Sequence, residues 1–335
     1  MKMFTRSLVV IGVLLVGITT GYGHQSVVVV PLGDDAKSIQ NVITVAKSGG
    51  DFTRLSNALN SISGASATNP YLVVVGPGIF DEFDPGPLTV PSYVHVTGSG
   101  QETTVIRSNE AGSDNLNRTA AAIELSVYSK LSNLTIKLFT FDDNDHVIGV
   151  YIPPRAFDTQ TPAKLQNVEI DTASFPLLTN IGVYDDGGDT EIIGSRLFVQ
   201  KTGALGTTLY GVFITGSDTV IDGTDITARS TTDGTTYGVY QVLQNNNTTV
   251  IRNSTIFTGS TVRGTHTGVR NLDFNDNLFI TNSRVEGVQN SVRGDMVISH
   301  STLVGAVHTD GTQKCFGVID GGDEDTATEL ANDCS

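Results

Sequence analysis

A four-residue string with glycine and valine in its middle positions recurs from residue 148 onward. Self-similarity at a spacing of roughly 20 to 50 residues is typical of repeat architectures, in which each unit packs only on its neighbours. The string therefore predicts a solenoid of stacked strands. Its occurrences are Ile148-Gly149-Val150-Tyr151, Ile181-Gly182-Val183-Tyr184, Tyr210-Gly211-Val212-Phe213, Tyr237-Gly238-Val239-Tyr240, Thr267-Gly268-Val269-Arg270 and Phe316-Gly317-Val318-Ile319.

A second repeated strand lies between these strings, with an aliphatic residue at its first and sixth positions. Its first aliphatic residue advances by 34, 27, 29, 30, 29 and 18 residues, and the last step predicts a shortened coil. Two strands of fixed type per coil predict an all-β fold, a single parallel β-helix (solenoid). The seven copies begin at Leu131, Leu165, Ile192, Ile221, Ile251, Ile280 and Ile298.

Alternation of side chains along a strand assigns these positions to the inside or the outside of the solenoid. We expect three inward columns, because burying each aliphatic side chain contributes about 1.5–3 kcal/mol. The glycine and the aromatic residue of the first string are expected on the outer face. The inward columns are the valines of the first string with Ile148 and Ile181 beside them, the seven first residues of the second string, and Ile136, Ile170, Leu197, Ile226, Ile256, Val285 and Leu303.

The third residue of the second string is Asn, Gly or His in every copy. Asn and Gly tolerate the left-handed backbone that a sharp bend between sheets requires. Stacked Asn side chains can also hydrogen-bond along the axis. We therefore expect a structural corner at Asn133, Asn167, Gly194, Gly223, Asn253, Asn282 and His300.

One amphipathic helix precedes the repeats. Apolar residues from Phe52 to Ile62 follow a helical period, which predicts a helix near 52–63 with Asp51 or Thr53 as its N-cap. An open solenoid end exposes core side chains and unpaired strands, so we expect this helix to cover it.

The region around this helix resembles the opening of the pectinesterases, which belong to the pectin-lyase-like family of right-handed parallel β-helices. The resemblance covers roughly residues 43–108 and implies the same right-handed fold here. It does not extend to chemistry, since the Gln-Asp pair, the Asp-Phe-x-Phe-Gly segment and the Arg-x-Trp of that family are absent, as are the polygalacturonase motifs. The matching segments are Val45–Thr53, Val73–Glu82, Val96–Gly100 and Thr103–Ile106.

The first residues have the pattern of a signal peptide. Lys2 and Arg6 precede an apolar run from Leu8 to Ile18, which is shorter than the roughly 20 residues that span a bilayer. We expect a secreted, periplasmic or cell-envelope protein with no membrane span after cleavage, the alternative being an uncleaved anchor. The predicted organisation is a signal peptide at 1–23, a leader at 24–42, the β-helix at 43–314 and a C-terminal cap at 315–335.

The charge balance limits the partners. Removal of Lys2 and Arg6 leaves 18 basic against 35 acidic residues, a net charge of −17. This balance argues against nucleic acid as a partner, because phosphate binding needs clustered Lys and Arg. The sequence shows no local basic patch for a polyanion either. The oligomeric state is not predicted.

Two cysteines, Cys315 and Cys334, lie close to the C-terminus. In an oxidising compartment such a pair predicts a disulfide that staples the tail to the last strand. The alternative is a pair of free thiols.

The outward aromatic column is the candidate binding feature. Its rings either stack on one another and cover glycine backbone, or form a track on which the sugar rings of a polysaccharide stack. Both alternatives stay open. The candidate binding residues are Tyr151, Tyr184, Phe213, Tyr240 and Arg270.

Two acidic loops are weaker candidates. One carries Asp185, Asp186 and Asp189, and the other carries Asp142, Asp143 and Asp145. Paired carboxylates can hydrolyse glycosides and carboxylate-rich loops can hold calcium, but the same spacing describes an ordinary solvated turn. We therefore expect no cofactor, with calcium as the alternative. The favoured function is a non-enzymatic surface or carbohydrate-recognition module, and the alternative is a divergent carbohydrate-active enzyme.

Overall fold

The architecture is one continuous stack of short strands, described by a computed structural model. All but one of the pairings between named strands are parallel, and the exception joins the last two strands. The described residues are 41–83, 86–109, 116, 118–139, 145–154, 161–174, 177–201, 207–242, 247–260, 264–272, 277–308, 313–321, 328–330 and 334. The predicted signal peptide and most of the predicted leader lie outside them.

In the described residues, the strands are accompanied by one helix near the start and by one 3-10 turn at Arg118–Ala120. The helix α1 spans Leu55–Ser61. The strands are β1 (Asn41–Val45), β2 (Tyr71–Val75), β3 (Gly78–Asp81), β4 (Leu88–Val90), β5 (Val94–Thr97), β6 (Thr104–Ser108), β7 (Ala121–Leu125), β8 (Lys130–Leu138), β9 (Asp145–Ile152), β10 (Ala163–Ser174), β11 (Leu177–Asp185), β12 (Thr190–Ile193), β13 (Arg196–Lys201), β14 (Thr207–Thr215), β15 (Thr219–Asp222), β16 (Asp225–Ser230), β17 (Gly234–Val242), β18 (Thr249–Arg252), β19 (Thr255–Ser260), β20 (Gly264–Asn271), β21 (Leu278–Thr281), β22 (Arg284–Arg293), β23 (Met296–Ser299), β24 (Thr302–His308), β25 (Gln313–Phe316), β26 (Ile319–Asp320) and β27 (Thr328–Glu329).

The strands form three rows, one for each side of the solenoid. The first row contains β1, β2, β5, the starts of β8 and β10, and then β12, β15, β18, β21, β23 and β25. The second contains β3, β6, the ends of β8 and β10, β13, β16, β19, the starts of β22 and β24, and β26. The third contains β4, β7, β9, β11, β14, β17, β20 and the ends of β22 and β24. The chain is thus a right-handed parallel β-helix, as predicted.

Two of the predicted aliphatic columns are confirmed in full. The column from Leu131 to Ile298 is at most 1% exposed, each residue lies in register with the next, and Cys315 extends it by one coil. The column from Ile136 to Leu303 is equally buried and equally in register. These columns and the valines of the third row form the continuous core.

The valine column of the third row differs from the prediction at its end. Five of the predicted valines stack in register from Val150 to Val269, and Val292 and Val307 continue the column. Val318 is buried but lies elsewhere, because Gly317 has φ +61 and precedes β26 of the second row. The string Phe316–Ile319 is therefore a corner, and its assignment to the Gly-Val repeat is wrong.

The corner column adopts the predicted left-handed backbone. Every one of its residues has φ between 47 and 57. The predicted side-chain ladder forms between Asn167 and Asn133, whose Nδ2 and Oδ1 are 2.8 Å apart. Where glycine interrupts the column, Asn253 Nδ2 donates instead to Asp222 Oδ1 at 2.8 Å.

The glycines of the third row face inward, which corrects the expectation that they lie on the outer surface. A Cβ on Gly182 would lie 2.6 Å from Gly211 O, and a Cβ on Gly238 would lie 2.6 Å from Gly268 O. Glycine and valine therefore point inward as two consecutive residues, and strict alternation is broken. Ile148 and Ile181 consequently lie on the outer side, where they pack with tyrosines rather than with the valine column.

The predicted helix near 52–63 is present but shorter. Its first residues are held in extended backbone, because Phe52 N donates to Thr44 O at 3.0 Å. Asp51 is not the N-cap, since its carboxylate accepts hydrogen bonds from Thr44. The cap comes from the distant Glu82, whose Oε1 accepts from Leu55 N at 2.6 Å and whose Oε2 pairs with Arg54 at 3.2 Å. Through Leu55, Ala58 and Leu59 the helix packs on the strands of the first coil.

The C-terminal end is stapled as predicted. Cys315 and Cys334 form a disulfide with a Cα–Cα distance of 5.2 Å. Cys315 lies directly above Ile298 in the first row, so the bridge ties the tail to the core column. In the described part of the chain, no helix has the length and apolar character needed to cross a membrane.

The inward glycines yield a stability prediction. Gly238→Ala places a methyl group against Gly268 O and the side chain of Ile256. We therefore expect it to lower the free energy of unfolding by about 1–3 kcal/mol. Gly223→Asn is the control, because Gly223 has φ +57 and its position is filled by asparagine in the next coil. Thermal unfolding followed by circular dichroism measures both; equal melting temperatures for the two variants contradict the inward assignment.

Candidate functional site

The outer side of the third row carries two adjacent columns of large side chains. The fourth position of each string gives Tyr151, Tyr184, Phe213, Tyr240 and Arg270, which are in register from coil to coil. The first position contributes Tyr210 and Tyr237, also in register. We call the six rings and Arg270 the aromatic face.

The rings contact one another along the whole column. Tyr184 stacks on Phe213 with centroids 5.0 Å apart, and Tyr151 meets Tyr184 edge-on at 5.4 Å. Tyr210 stacks on Phe213 at 4.9 Å and on Tyr237 at 5.4 Å. Each such pair contributes about 0.5–1.5 kcal/mol beyond area burial, so the predicted structural role of the rings is present.

Of the six rings of the aromatic face, only those in its middle reach solvent. Tyr151, Tyr184 and Tyr237 are buried, whereas Tyr210, Phe213 and Tyr240 are half-buried. Tyr240 is tilted by 49° to 63° from Tyr237, Phe213 and Tyr210, so its ring is not closed off by a parallel neighbour. The accessible aromatic surface is thus concentrated on three rings in two successive coils.

Asp186 closes one end of the aromatic face. Its carboxylate accepts hydrogen bonds from the hydroxyls of Tyr151 at 2.8 Å, Tyr184 at 3.2 Å and Thr215 at 2.9 Å. Burial, followed by the charge of Asp186, raises the pKa of Tyr184 to about 12. Asp186 is therefore a positioned carboxylate between neutral phenols.

Arg270 closes the other end. Its guanidinium lies 5.5 Å from the ring centres of both Tyr237 and Tyr240, and its Nη1 donates to Tyr237 Oη at 2.7 Å. Its Nε is buried and has no hydrogen-bond partner among the described residues. Arg293 stands next in register in the following coil. Two guanidinium groups thus follow the rings directly; Arg270 is one of the predicted binding residues, whereas Arg293 is not.

Asp185 lies inside the solenoid rather than at its surface. It follows the aromatic residue of β11 and points inward, with no exposed area. Its carboxylate accepts from Gly188 N at 2.9 Å and Thr219 Oγ1 at 3.0 Å. Burial raises the pKa of this carboxyl. A group in this position cannot touch a polysaccharide.

Asp189 binds the backbone of the next coil. Its Oδ1 accepts from Asp218 N at 2.9 Å, and its side chain is buried. The three carboxylates of the loop thus serve the interior, the aromatic face and the backbone of a neighbouring coil. A catalytic role for them stays an untested prediction.

The calcium alternative finds no cluster in the described residues. Within the ranges given above, no group of three or more His, Cys, Asp or Glu side chains converges as a metal site. Asp142 and Asp143 of the other acidic loop lie outside those ranges.

Solved structures with a similar fold identify the architecture of this chain. No protein-family model matches the chain, and no curated protein matches it significantly. Among solved structures, pectin methylesterase PemA from Erwinia chrysanthemi is 15% identical with a TM-score of 0.50, over 83% of this chain and 93% of that one. A pectin methylesterase mutant in complex with a hexasaccharide is 14% identical with a TM-score of 0.54, over the same shares. At such identity the likeness shows the pectin-lyase-like parallel β-helix fold.

The buried carboxyl predicts a pH effect. Because its folded-state pKa is raised, Asp185 contributes stability below its ordinary pKa of 3.8, and this contribution is lost as pH rises through the raised value. Asp185→Asn carries no charge at any pH, so its melting temperature relative to the unmodified protein should rise as the pH is raised above about 4. One kcal/mol corresponds to about 2–4 °C in a domain of this size.

Calorimetric scans across this range measure the effect. Asp225→Asn serves as the control, since Asp225 is an exposed carboxylate at the start of β16. Parallel pH profiles for both variants and the unmodified protein would show that Asp185 ionises freely in the folded state.

Proposed function

We propose that this chain is a non-enzymatic saccharide-binding β-helix that holds a polysaccharide along its aromatic face. The observation that carries the proposal is the half-exposed cluster of Tyr210, Phe213 and Tyr240, followed in register by Arg270. Saccharide sites combine apolar ring contacts with a few polar groups that fix orientation. The aromatic face provides both.

The spacing of the solenoid suits a chain-like ligand. Successive coils are about 4.8 Å apart, which is close to the length of one pyranose unit. A polysaccharide aligned with the solenoid axis therefore meets Phe213 with one sugar and Tyr240 with the next. Neighbouring rings cover much of each other's surface. A bound saccharide therefore contacts the outer part of each ring, together with the hydroxyls of Tyr210 and Tyr240.

Arg270 supplies the polar contact. A guanidinium presents several donors in a fixed fork, and these suit vicinal hydroxyls or a carboxylate. One donor of Arg270 is used by Tyr237 and another, Nε, has no partner within the described residues. Because Nε is buried, a bound saccharide oxygen would meet the half-buried guanidinium through its Nη groups.

The setting agrees with this proposal. The predicted signal peptide would deliver the protein to a secreted, periplasmic or cell-envelope location where polysaccharides occur. The solved pectin methylesterase with a bound hexasaccharide supports the idea that this fold accommodates a sugar chain. The strings that carry the catalytic motifs of the pectinesterases are not found in this sequence, which favours binding over turnover in this proposal.

A divergent carbohydrate-active enzyme is the second candidate. Asp186 favours it, because this carboxylate borders the same face as the half-exposed rings and is only partly buried. Methyl-ester release and reducing-sugar release from polysaccharides would detect such activity. Turnover that disappears in Asp186→Asn would replace the non-enzymatic proposal with this one.

Binding to the aromatic face is tested by substitution. Tyr240→Ala and Arg270→Gln should each weaken binding of a polysaccharide fragment found by glycan array about tenfold, or about 1.4 kcal/mol. Phe279→Ala is the matched control, because Phe279 is an exposed ring on the first row, 38% accessible and remote in register from the third row. Isothermal titration calorimetry gives the affinities; equal losses for Phe279→Ala and Tyr240→Ala would refute the assigned face.

A further inference from the structure

A second cluster on the first row is not used by the aromatic face. His95, Lys130 and Lys164 stand directly opposite one another in β5, β8 and β10. We call these three residues the lysine row. They are separated by about one coil in sequence, so only the stacking of the solenoid brings them together. In a chain with a net charge of −15, adjacent lysines of this kind are unusual.

The lysine row is electrostatically unbalanced at Lys130. Lys164 has a carboxylate partner, since its Nζ lies 2.7 Å from Glu191 Oε2. Lys130 donates to the neutral amide of Gln166, and no carboxylate of the described residues pairs with it. Like charges placed directly opposite each other destabilise a sheet. An anion bound here would remove that cost.

The surroundings of Lys130 disfavour its positive charge when no anion is bound. Partial burial, followed by the charge of Lys164, lowers the pKa of Lys130. Burial and the two lysines also lower the pKa of His95, which keeps this imidazole neutral near pH 7. Most other ion pairs of the described residues join one basic side chain to one acid, as for Arg107 with Asp81. Lys130 departs from that pattern.

Two aromatic rings accompany the lysine row. Tyr93 and Tyr128 each lie two residues before a member of the row, about 7 Å along the chain. Their rings are stacked at 4.8 Å with an angle of 18°, and both side chains are half-buried. Tyr93 N donates to Tyr128 O at 3.2 Å, so the two turns are also tied through the backbone.

The backbone at both tyrosines is strained. Tyr93 has φ 64 and Tyr128 has φ 62, a region that large residues other than glycine rarely occupy. Such strain costs about 1–3 kcal/mol per residue, and strained residues cluster at binding sites. Glycine or asparagine would relieve the strain, yet both turns carry tyrosine. Stacking of the two rings at 4.8 Å offsets part of this cost.

We propose that Tyr93, Tyr128 and Lys130 form a second binding site, for a saccharide that carries an anionic group. The stacked tyrosines contact the sugar ring and Lys130 binds its carboxylate or sulfate, with His95 as a neutral hydrogen-bonding neighbour. Glu191 leaves Lys164 less available, so Lys130 is the principal cation. The site belongs to the first row and does not depend on saccharide binding at the aromatic face of the third row.

The experiment uses three defined hexasaccharides in calorimetric titrations. These are a carboxylated one from polymannuronate, a sulfated one from carrageenan and the neutral cellohexaose. The titrations use the full chain in the Arg270→Gln background, so that a contribution from the aromatic face is reduced. We expect an anionic hexasaccharide to bind, with an affinity that falls as salt is raised, and cellohexaose to bind at least tenfold more weakly.

The variants locate this binding. Lys130→Gln should weaken binding of the anionic hexasaccharide about tenfold, and Lys130→Arg should retain most of it. Lys137→Gln is the matched control, because Lys137 lies on the same strand and is paired with Asp171. Tyr128→Leu tests the ring contact, with circular dichroism as a check that it folds. If Tyr128→Leu fails to fold, the lysine variants and the neutral ligand decide.

The outcomes separate the two sites. Binding of only the sulfated or only the carboxylated hexasaccharide supports the proposal and identifies the anionic group. Equal affinities for Lys130→Gln and Lys137→Gln, equal binding of cellohexaose, or no binding of either anionic hexasaccharide overturns it. The unmodified chain is titrated in parallel as the reference: binding of the anionic hexasaccharide that is lost in Arg270→Gln but kept in Lys130→Gln assigns the anion to the aromatic face and overturns the proposal.

Discussion

The register between successive coils is the constraint on which the whole molecule depends. Each inward column places one aliphatic side chain on the next, and a slip of one residue would move that column to the surface. The third row adds a second constraint, because a Cβ on each of its inward glycines from Gly149 to Gly268 would lie within 2.6 Å of a carbonyl oxygen in the next coil. The aromatic face and the lysine row both exist only because this register is fixed.

The columns of aliphatic residues could be read from the sequence because burial imposes one residue type at one spacing. The corner column was equally legible, since only Asn, Gly and His fill it. Two predictions that relied on glycine were wrong: the assignment of Phe316–Ile319 to the repeat, and the outward direction of the glycines in the third row. At Gly317 glycine provides a left-handed corner, whereas at Gly238 it allows close approach, and the string Gly-Val alone does not distinguish the two uses. The inward direction of Gly238 also breaks the alternation on which the prediction relied.

The candidate site was predicted only in part, for a related reason. Tyr151, Tyr184, Phe213, Tyr240 and Arg270 follow from a repeated string, but Arg293 and the lysine row do not. Their members are far apart in sequence and become neighbours only through the stacking of coils. The acidic loop shows the opposite case: Asp185 and Asp186 are adjacent in sequence, yet one points into the core and the other to the aromatic face. A cluster in sequence was therefore not a cluster in space.

The central claim is that the aromatic face binds a saccharide chain aligned with the solenoid axis. A crystal structure of the protein with an oligosaccharide ligand at saturating concentration tests it most directly. The account predicts sugar density over Tyr210, Phe213 and Tyr240, with an oxygen of the ligand at Arg270. Sugar density confined to other surfaces, or a bare aromatic face in crystals whose packing leaves it open, would contradict the account.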